Sequence, residues 1–172
     1  MTETPLYQRD PEAWWAHLAE GNATQPRKRV SADALIRDQA GRLLLVDPTY
    51  KPYWDTPGGM AEANEPPHQA AQREVREELG LDIPIGRLLV VDWVPPHGPW
   101  DDLLAFVFEG GALTDEQIAR LAPVNDEIRA FEFCPPEEAR QRLPPHLWRR
   151  VAAALNALES GQARYLCNRY EP

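Results

Sequence analysis

The chain has 172 residues, a length that suits one globular domain. Apolar residues make up 43% and charged residues 26%, ordinary globular values that exclude wholesale disorder and collagen-like structure. Eighteen Lys plus Arg against 27 Asp plus Glu leave a formal charge of −9, a surface that repels a polyphosphate backbone and disfavours sequence-blind binding of nucleic acid polymers.

Residues 1–27 mix Pro, Asn, Gly and charge around one helical stretch, Asp10 to Glu20, in which Trp14, His17 and Leu18 share a face. This predicts an N-terminal arm with a short helix, packed on a domain that spans 28–160. Val30 to Ile36 and Arg42 to Val46 favour strand, and Asp38-Gln-Ala-Gly41 between them has the turn chemistry of a hairpin. A loop follows Asp47-Pro48 and ends in Trp54-Asp-Thr-Pro57-Gly58-Gly59. The next helix opens at Pro66-Pro67 and closes at Gly80, with proline first and glycine last.

Arg87 to Val94 and Asp102 to Glu109 read as strands joined by Pro95-Pro-His-Gly-Pro-Trp100, a loop long enough to line a site. A short helix is predicted over 114–122, a strand over Arg129 to Phe133, and a helix over Pro136 to Arg142. Pro145 to Leu158 carries Leu147, Val151, Leu155 and Leu158 on one stripe, so this last helix must pack on something. Residues 161–172 form a C-terminal tail. Strands before, between and after helices indicate a sandwich of α/β class.

No apolar run approaches the ~20 residues of a membrane span, and the start Met1-Thr-Glu-Thr-Pro-Leu lacks the basic and apolar regions of an export signal. A cytoplasmic protein without membrane contact is expected. Cys134 and Cys167 are too few for a disulfide framework or a zinc cluster and read as ordinary thiols.

Glu74, Glu77 and Glu78 stand at i, i+3 and i+4, on one side of the helix that ends at Gly80. At ~100° per residue, Glu78 falls between Ala71 and Val75 on the apolar stripe, while Arg73 and Arg76 point to the far side. Glu78 is thus expected to be desolvated beside its acidic neighbours, with no positive partner on its face. A solvated acidic face is the plain alternative. Context favours a cation: Gly58-Gly59 allows close backbone approach, and carboxylates with a peptide carbonyl suit Mg²⁺ or Mn²⁺ rather than zinc or copper. Such an ion points to phosphate chemistry.

Gly59, five residues, Glu65, seven residues and then Arg73-Glu-Val-Arg-Glu-Glu-Leu-Gly-Leu81 resembles a complete Nudix box over residues 59–81. Asn64 stands where that family often has glycine. The resemblance extends over about residues 29 to 135 and implies a Nudix-type α/β/α sandwich with a mixed β-sheet. It also implies hydrolysis of a nucleoside diphosphate linked to another moiety, such as ADP-ribose, a nucleotide sugar or a modified (d)NTP, with Mg²⁺ or Mn²⁺ required.

Carried over to this chain, the resemblance makes Glu74, Glu77 and Glu78 metal ligands, with the Gly58 carbonyl completing the shell. Glu77 or Glu78 also handles the water proton, and Glu127, before the strand containing Phe131, is a further candidate base. Gly59, Glu65, Arg73 and Gly80 take structural roles, with Glu65 and Arg73 pairing to fix the loop against the helix. Cations bridging phosphoryl oxygens would let a chain of charge −9 bind such a substrate.

Substrate contacts are less legible. Trp54, Trp93 and Trp100 are candidates to stack on a base, with core packing the alternative. Arg29, with Arg27 and Lys28, is a candidate phosphate contact or a solvated linker residue. Two other readings remain: a Nudix-fold sensor that binds a nucleotide-linked ligand without cleaving it, which should have lost box carboxylates, and an isoprenoid diphosphate isomerase, whose Cys and His find no match here. Self-association as a homodimer is an expectation from relatives alone.

Overall fold

The computed structural model describes residues 4–167. Its centre is a seven-stranded mixed sheet of order β6-β2-β1-β5-β4-β7, with β3 also beside β1. The strands are β1 Arg29–Arg37, β2 Leu43–Pro48, β3 Gly58–Met60, β4 Leu88–Val94, β5 Leu103–Ala112, β6 Ile128–Cys134 and β7 Arg164–Cys167. The helices are α1 Leu6–Arg9, α2 Pro11–Thr24, α3 Pro67–Leu79, α4 Asp115–Ile118, α5 Pro136–Arg142 and α6 Pro145–Ser160. β1 runs parallel to β5, and β4 parallel to β7; the other pairs are antiparallel.

The sheet is apolar on both faces because a helix layer covers each. Ala34 and Ile36 of β1 pack with Val75 and Leu79 of α3, whereas Leu35 joins Val151, Ala154 and Ala157 of α6. This alternation is the period-two side-chain pattern of a strand buried on both sides. Each fully buried Leu or Val contributes roughly 1.5–3 kcal/mol; of the predicted α6 stripe Val151 is fully buried, while Leu147, Leu155 and Leu158 pack partly buried against this core.

The expected hairpin turn is present. Asp38 accepts from the amides of Ala40 (3.0 Å) and Arg42 (2.8 Å), and Gly41 takes φ +80. Beyond that turn, β1 divides its free edge: Arg37 pairs with Leu43 of β2, whereas Ser31, Ala32 and Asp33 pair with Met60, Gly59 and Gly58 of β3. β3 is a short strand where the sequence predicts loop, since two glycines in three residues carry no strand signal. α3 starts behind Pro66 and stops at Gly80, whose φ of +68 closes the helix in the left-handed conformation.

Two expectations about the termini are corrected. The arm was expected to pack on the domain, yet neither α1 nor α2 buries a residue, and Trp15 is 70% exposed. Trp14 meets Tyr7 and His17 within the arm itself, at 6.3 and 5.9 Å between ring centroids; its apolar face is too narrow to dock a helix on a core. The tail expected from 161 onward instead contributes β7. Gly161, at φ +75, ends α6, and the chain turns back to lay Leu166, 2% exposed, against the sheet edge at β4. The rest of that tail, 168–172, lies outside the described residues.

No helix among the described residues is long and apolar enough to cross a membrane.

Candidate active site

The split edge of β1 creates the site. Gly58 lies opposite Asp33, and a Cβ on Gly58 would fall 2.5 Å from the Ala32 carbonyl oxygen and 2.6 Å from Asp33 Oδ1. A Cβ on Gly59 would fall 2.5 Å from the Glu74 carboxyl carbon. The two glycines therefore seat two carboxylates, Asp33 from β1 and Glu74 from α3. A third reaches the same dipeptide, since the Gly58 amide donates to Glu78 Oε2 at 3.1 Å.

Glu78 is 3% exposed, and among the described residues no cation pairs with it. Burial first, and then the Glu74 charge against the opposing Gly58 amide bond, push its carboxyl up to about 8. Burial likewise raises Glu74. On the other side of Gly58, burial and then Asp55 push Asp33 up to about 7.

Arg73 corrects one expectation. It does not point away from the acidic face: its Nη1 donates to Glu74 Oε1 and Glu77 Oε2, each at 2.9 Å, and its Nε and Nη2 pair with both Glu65 oxygens at 2.9 Å. A flexible side chain of this length wraps around the helix far enough to reach residues one and four positions on. The Arg73 bonds hold Glu65 down at about 2, and Arg73 Nη2 also donates to the Met60 carbonyl at 3.0 Å, tying loop, β3 and α3 together. Asn64 adopts φ +64, so the turn that often uses glycine is made by a residue type that tolerates this conformation.

The residues present fit a hard cation. All donors are oxygens, Glu78 is buried without a counter-charge, and the glycine pair leaves room that a Cβ would fill. Of the three box carboxylates, Glu74 and Glu77 are bonded to Arg73 and Glu78 to the Gly58 amide. Among the described residues the one set of three potential ligand atoms lying within 4.8 Å of one another is Glu132, Cys134 and Glu138. Arg142 bridges both of those glutamates, so that set already has a cationic partner.

A cleft of about 380 Å³ opens beside the glycines on the α6 face of the sheet. Arg29, Ser31 and Asp33 of β1, Tyr53 and Asp55 of the preceding loop, and His146 and Arg150 of α6 are among its walls. The Arg29 guanidinium lies 4.5 Å from the Trp100 ring centroid, and both line the cleft with His97. Trp54 is elsewhere: it packs on the α6 core, with the Arg142 guanidinium 5.0 Å from its ring. Trp93 donates to Asp102 Oδ2 at 2.9 Å, a packing role. Glu127 is exposed in the loop before β6, its carbonyl bonded to the Thr49 amide at 2.8 Å, and its charge contributes to raising Glu74.

Asp33, Asp55 and Arg150 were missed by sequence reasoning. Asp33 and Asp55 lie outside the helical spacing that drew attention to the glutamates, and Arg150 sits on the polar flank of an amphipathic helix. Arg150 is 7% exposed and fixed by Asp92, itself fully buried, through Nε at 3.2 Å and Nη2 at 3.1 Å. The alternation of Arg29, Ser31 and Asp33 was the one signal available.

The NUDIX domain profile matches residues 27–155. The chain is 30% identical over 136 residues to phosphatase NudJ of Escherichia coli, covering 75% of this chain and 82% of that protein. It is 41% identical over 64 residues to diphosphoinositol polyphosphate phosphohydrolase 2 of Rattus norvegicus, covering 37% of this chain and spanning only 36% of that relative. A solved UDP-X diphosphatase superposes with a TM-score of 0.68 at 19% identity, over 90% of this chain and 74% of the other, a likeness of fold.

Proposed function

From the premise that the chain belongs to the Nudix family, we propose that it is a pyrophosphohydrolase dependent on Mg²⁺ or Mn²⁺. Its substrate is a nucleoside diphosphate linked to another moiety, cleaved at the diphosphate bond. The observation that carries this reading is Glu78: a carboxylate 3% exposed, bonded to the Gly58 amide and without a cationic partner among the described residues. Such a group is costly unless a cation joins it.

In this reading Glu74, Glu77, Glu78 and the Gly58 carbonyl would hold the ion, which would supply charge compensation for a diphosphate and make a water more acidic. Glu77, Glu78 or the loop residue Glu127 takes the water proton. Gly59 keeps the Glu74 seat open, Glu65 and Arg73 lock the loop to α3, and Gly80 ends the helix. Arg29 and Trp100 contact the substrate at the outer end of the cleft. Cytoplasmic action suits a nucleotide hydrolase whose two cysteines are free thiols.

The test is incubation with Mg²⁺ and a panel of ADP-ribose, nucleoside-diphosphate sugars, dinucleoside polyphosphates and oxidised dNTPs. Released phosphate is scored with and without added phosphatase. Turnover of one class, lost in Glu78→Gln, supports hydrolysis; saturable binding without products supports a sensor instead.

A further inference from the structure

Arg29, Ser31 and Asp33 alternate along β1, and all three line the same cleft. At ~3.3 Å per residue, Arg29 and Asp33 are about 13 Å apart along the strand. The Asp33 end abuts Gly58 and so the box glutamates; at the Arg29 end a guanidinium covers the Trp100 indole.

The chemistry changes along this line in a definite order. Among the described residues Arg29 has no carboxylate within 4 Å; its contacts are the Trp100 ring and Met60 Sδ at 3.9 Å. Ser31 makes no side-chain hydrogen bond with a described residue. Asp33 is 9% exposed, and no described residue donates a hydrogen bond to its carboxylate. Its nearest cation, Arg150 Nη1, stays at 3.7 Å, while that guanidinium bonds Asp92. A carboxylate facing the cleft repels a phosphate and accepts from hydroxyl donors. The part of a substrate that lies on Asp33 is therefore the donor-bearing group directly attached to the diphosphate.

Resting on the reading of the cleft as a nucleoside-diphosphate site, we propose that Asp33 and Ser31 are specificity-determining residues that accept hydrogen bonds from the hydroxyls of the sugar next to the diphosphate. The substrates favoured are then ribonucleotide derivatives, with the base beyond the sugar toward Trp100. Selection is strong because a buried acceptor left without its donor is expensive, whereas a merely apolar pocket discriminates weakly.

The experiment compares α,β-methylene-ADP with its 2′,3′-dideoxy counterpart by titration calorimetry with Mg²⁺ present. Binding is measured for the wild type, Asp33→Asn and Ser31→Ala, alongside kcat and KM for ADP-ribose and a deoxynucleotide. The expected result is a wild-type preference for the ribo ligand of about tenfold or more, shrinking to about threefold or less in Asp33→Asn and by a smaller factor in Ser31→Ala.

An equal affinity of the wild type for both ligands, or a preference that survives in Asp33→Asn, overturns the inference while leaving hydrolysis standing. Loss of affinity in Asp33→Asn by the same factor for both ligands also overturns it, since that marks a role at the ion rather than at the sugar. Preferential ribo binding without turnover of any substrate keeps the inference and sinks hydrolysis. Binding of neither ligand overturns the inference, and turnover of the substrate panel then decides hydrolysis on its own.

Discussion

The Gly58 amide and Glu78 are joined by a 3.1 Å hydrogen bond, the sole described partner of a carboxylate buried to 3% exposure. One neutral donor does not offset the desolvation of a charge whose neighbours are Glu74, Asp55 and Asp33. Glu78→Gln keeps the shape and removes the charge. We expect a melting temperature in EDTA that is unchanged or higher, together with loss of activity by several orders of magnitude. A drop of several degrees in EDTA would show that the charged form is structurally required.

The same burial gives stability a pH dependence of known sign. Glu78 and Asp33 titrate at about 8 and about 7 in the fold, above their ordinary values of 4.5 and 3.8. The folded state then holds more protons than the unfolded chain, so this contribution is complete below about pH 4, declines as pH rises and is gone above about 8. Each proton contributes a slope of roughly 1.4 kcal/mol per pH unit at most. Denaturant titrations in EDTA from pH 5 to 8.5 should show stability falling, with a shallower fall in Glu78→Gln or Asp33→Asn. A rise across that window would contradict the assignment.

The adjacent glycines should fail differently. Gly58 has φ +148, and an added Cβ there meets the backbone oxygen of Ala32 at 2.5 Å, a contact that cannot relax cheaply. Gly58→Ala is expected to lose several kcal/mol of stability. At Gly59 the obstacle is the end of the Glu74 side chain, which can move. Gly59→Ala should therefore melt within a few degrees of wild type yet bind Mn²⁺ at least about tenfold more weakly, as read by electron paramagnetic resonance.

What was legible in the sequence follows from the range of each signal. The helix with Glu74, Glu77 and Glu78 was readable because its apolar stripe, opening prolines and closing Gly80 are all local. Local spacing also put Glu78 on the buried side. It gave the wrong direction for Arg73, since a Cβ vector says little about where a long side chain ends. β3 and β7 escaped notice because three and four residues carry no periodicity; their partners, Asp33 and Val90 among them, are distant in sequence. Asp33 meets Gly58 and Arg150 only through the sheet topology, since both are distant in sequence.

The Asp92–Arg150 pair offers a test of how α6 is held over the cleft. Asp92 has no exposed surface and accepts from both Nε and Nη2 of Arg150, which also faces Asp33. Breaking a buried pair from one side leaves an uncompensated charge and typically costs about 3–5 kcal/mol, whereas replacing both partners with apolar residues of similar volume is often nearly neutral. Asp92→Leu alone should therefore be severely destabilising, and Asp92→Leu combined with Arg150→Met should recover most of the loss in a urea titration. The double variant also removes the cation nearest Asp33. It should bind Mn²⁺ with altered affinity despite its restored stability, separating the structural duty of the pair from its electrostatic effect on the site. Equal destabilisation of the single and double variants would mean that the pair's specific geometry, not charge compensation, holds α6 in place.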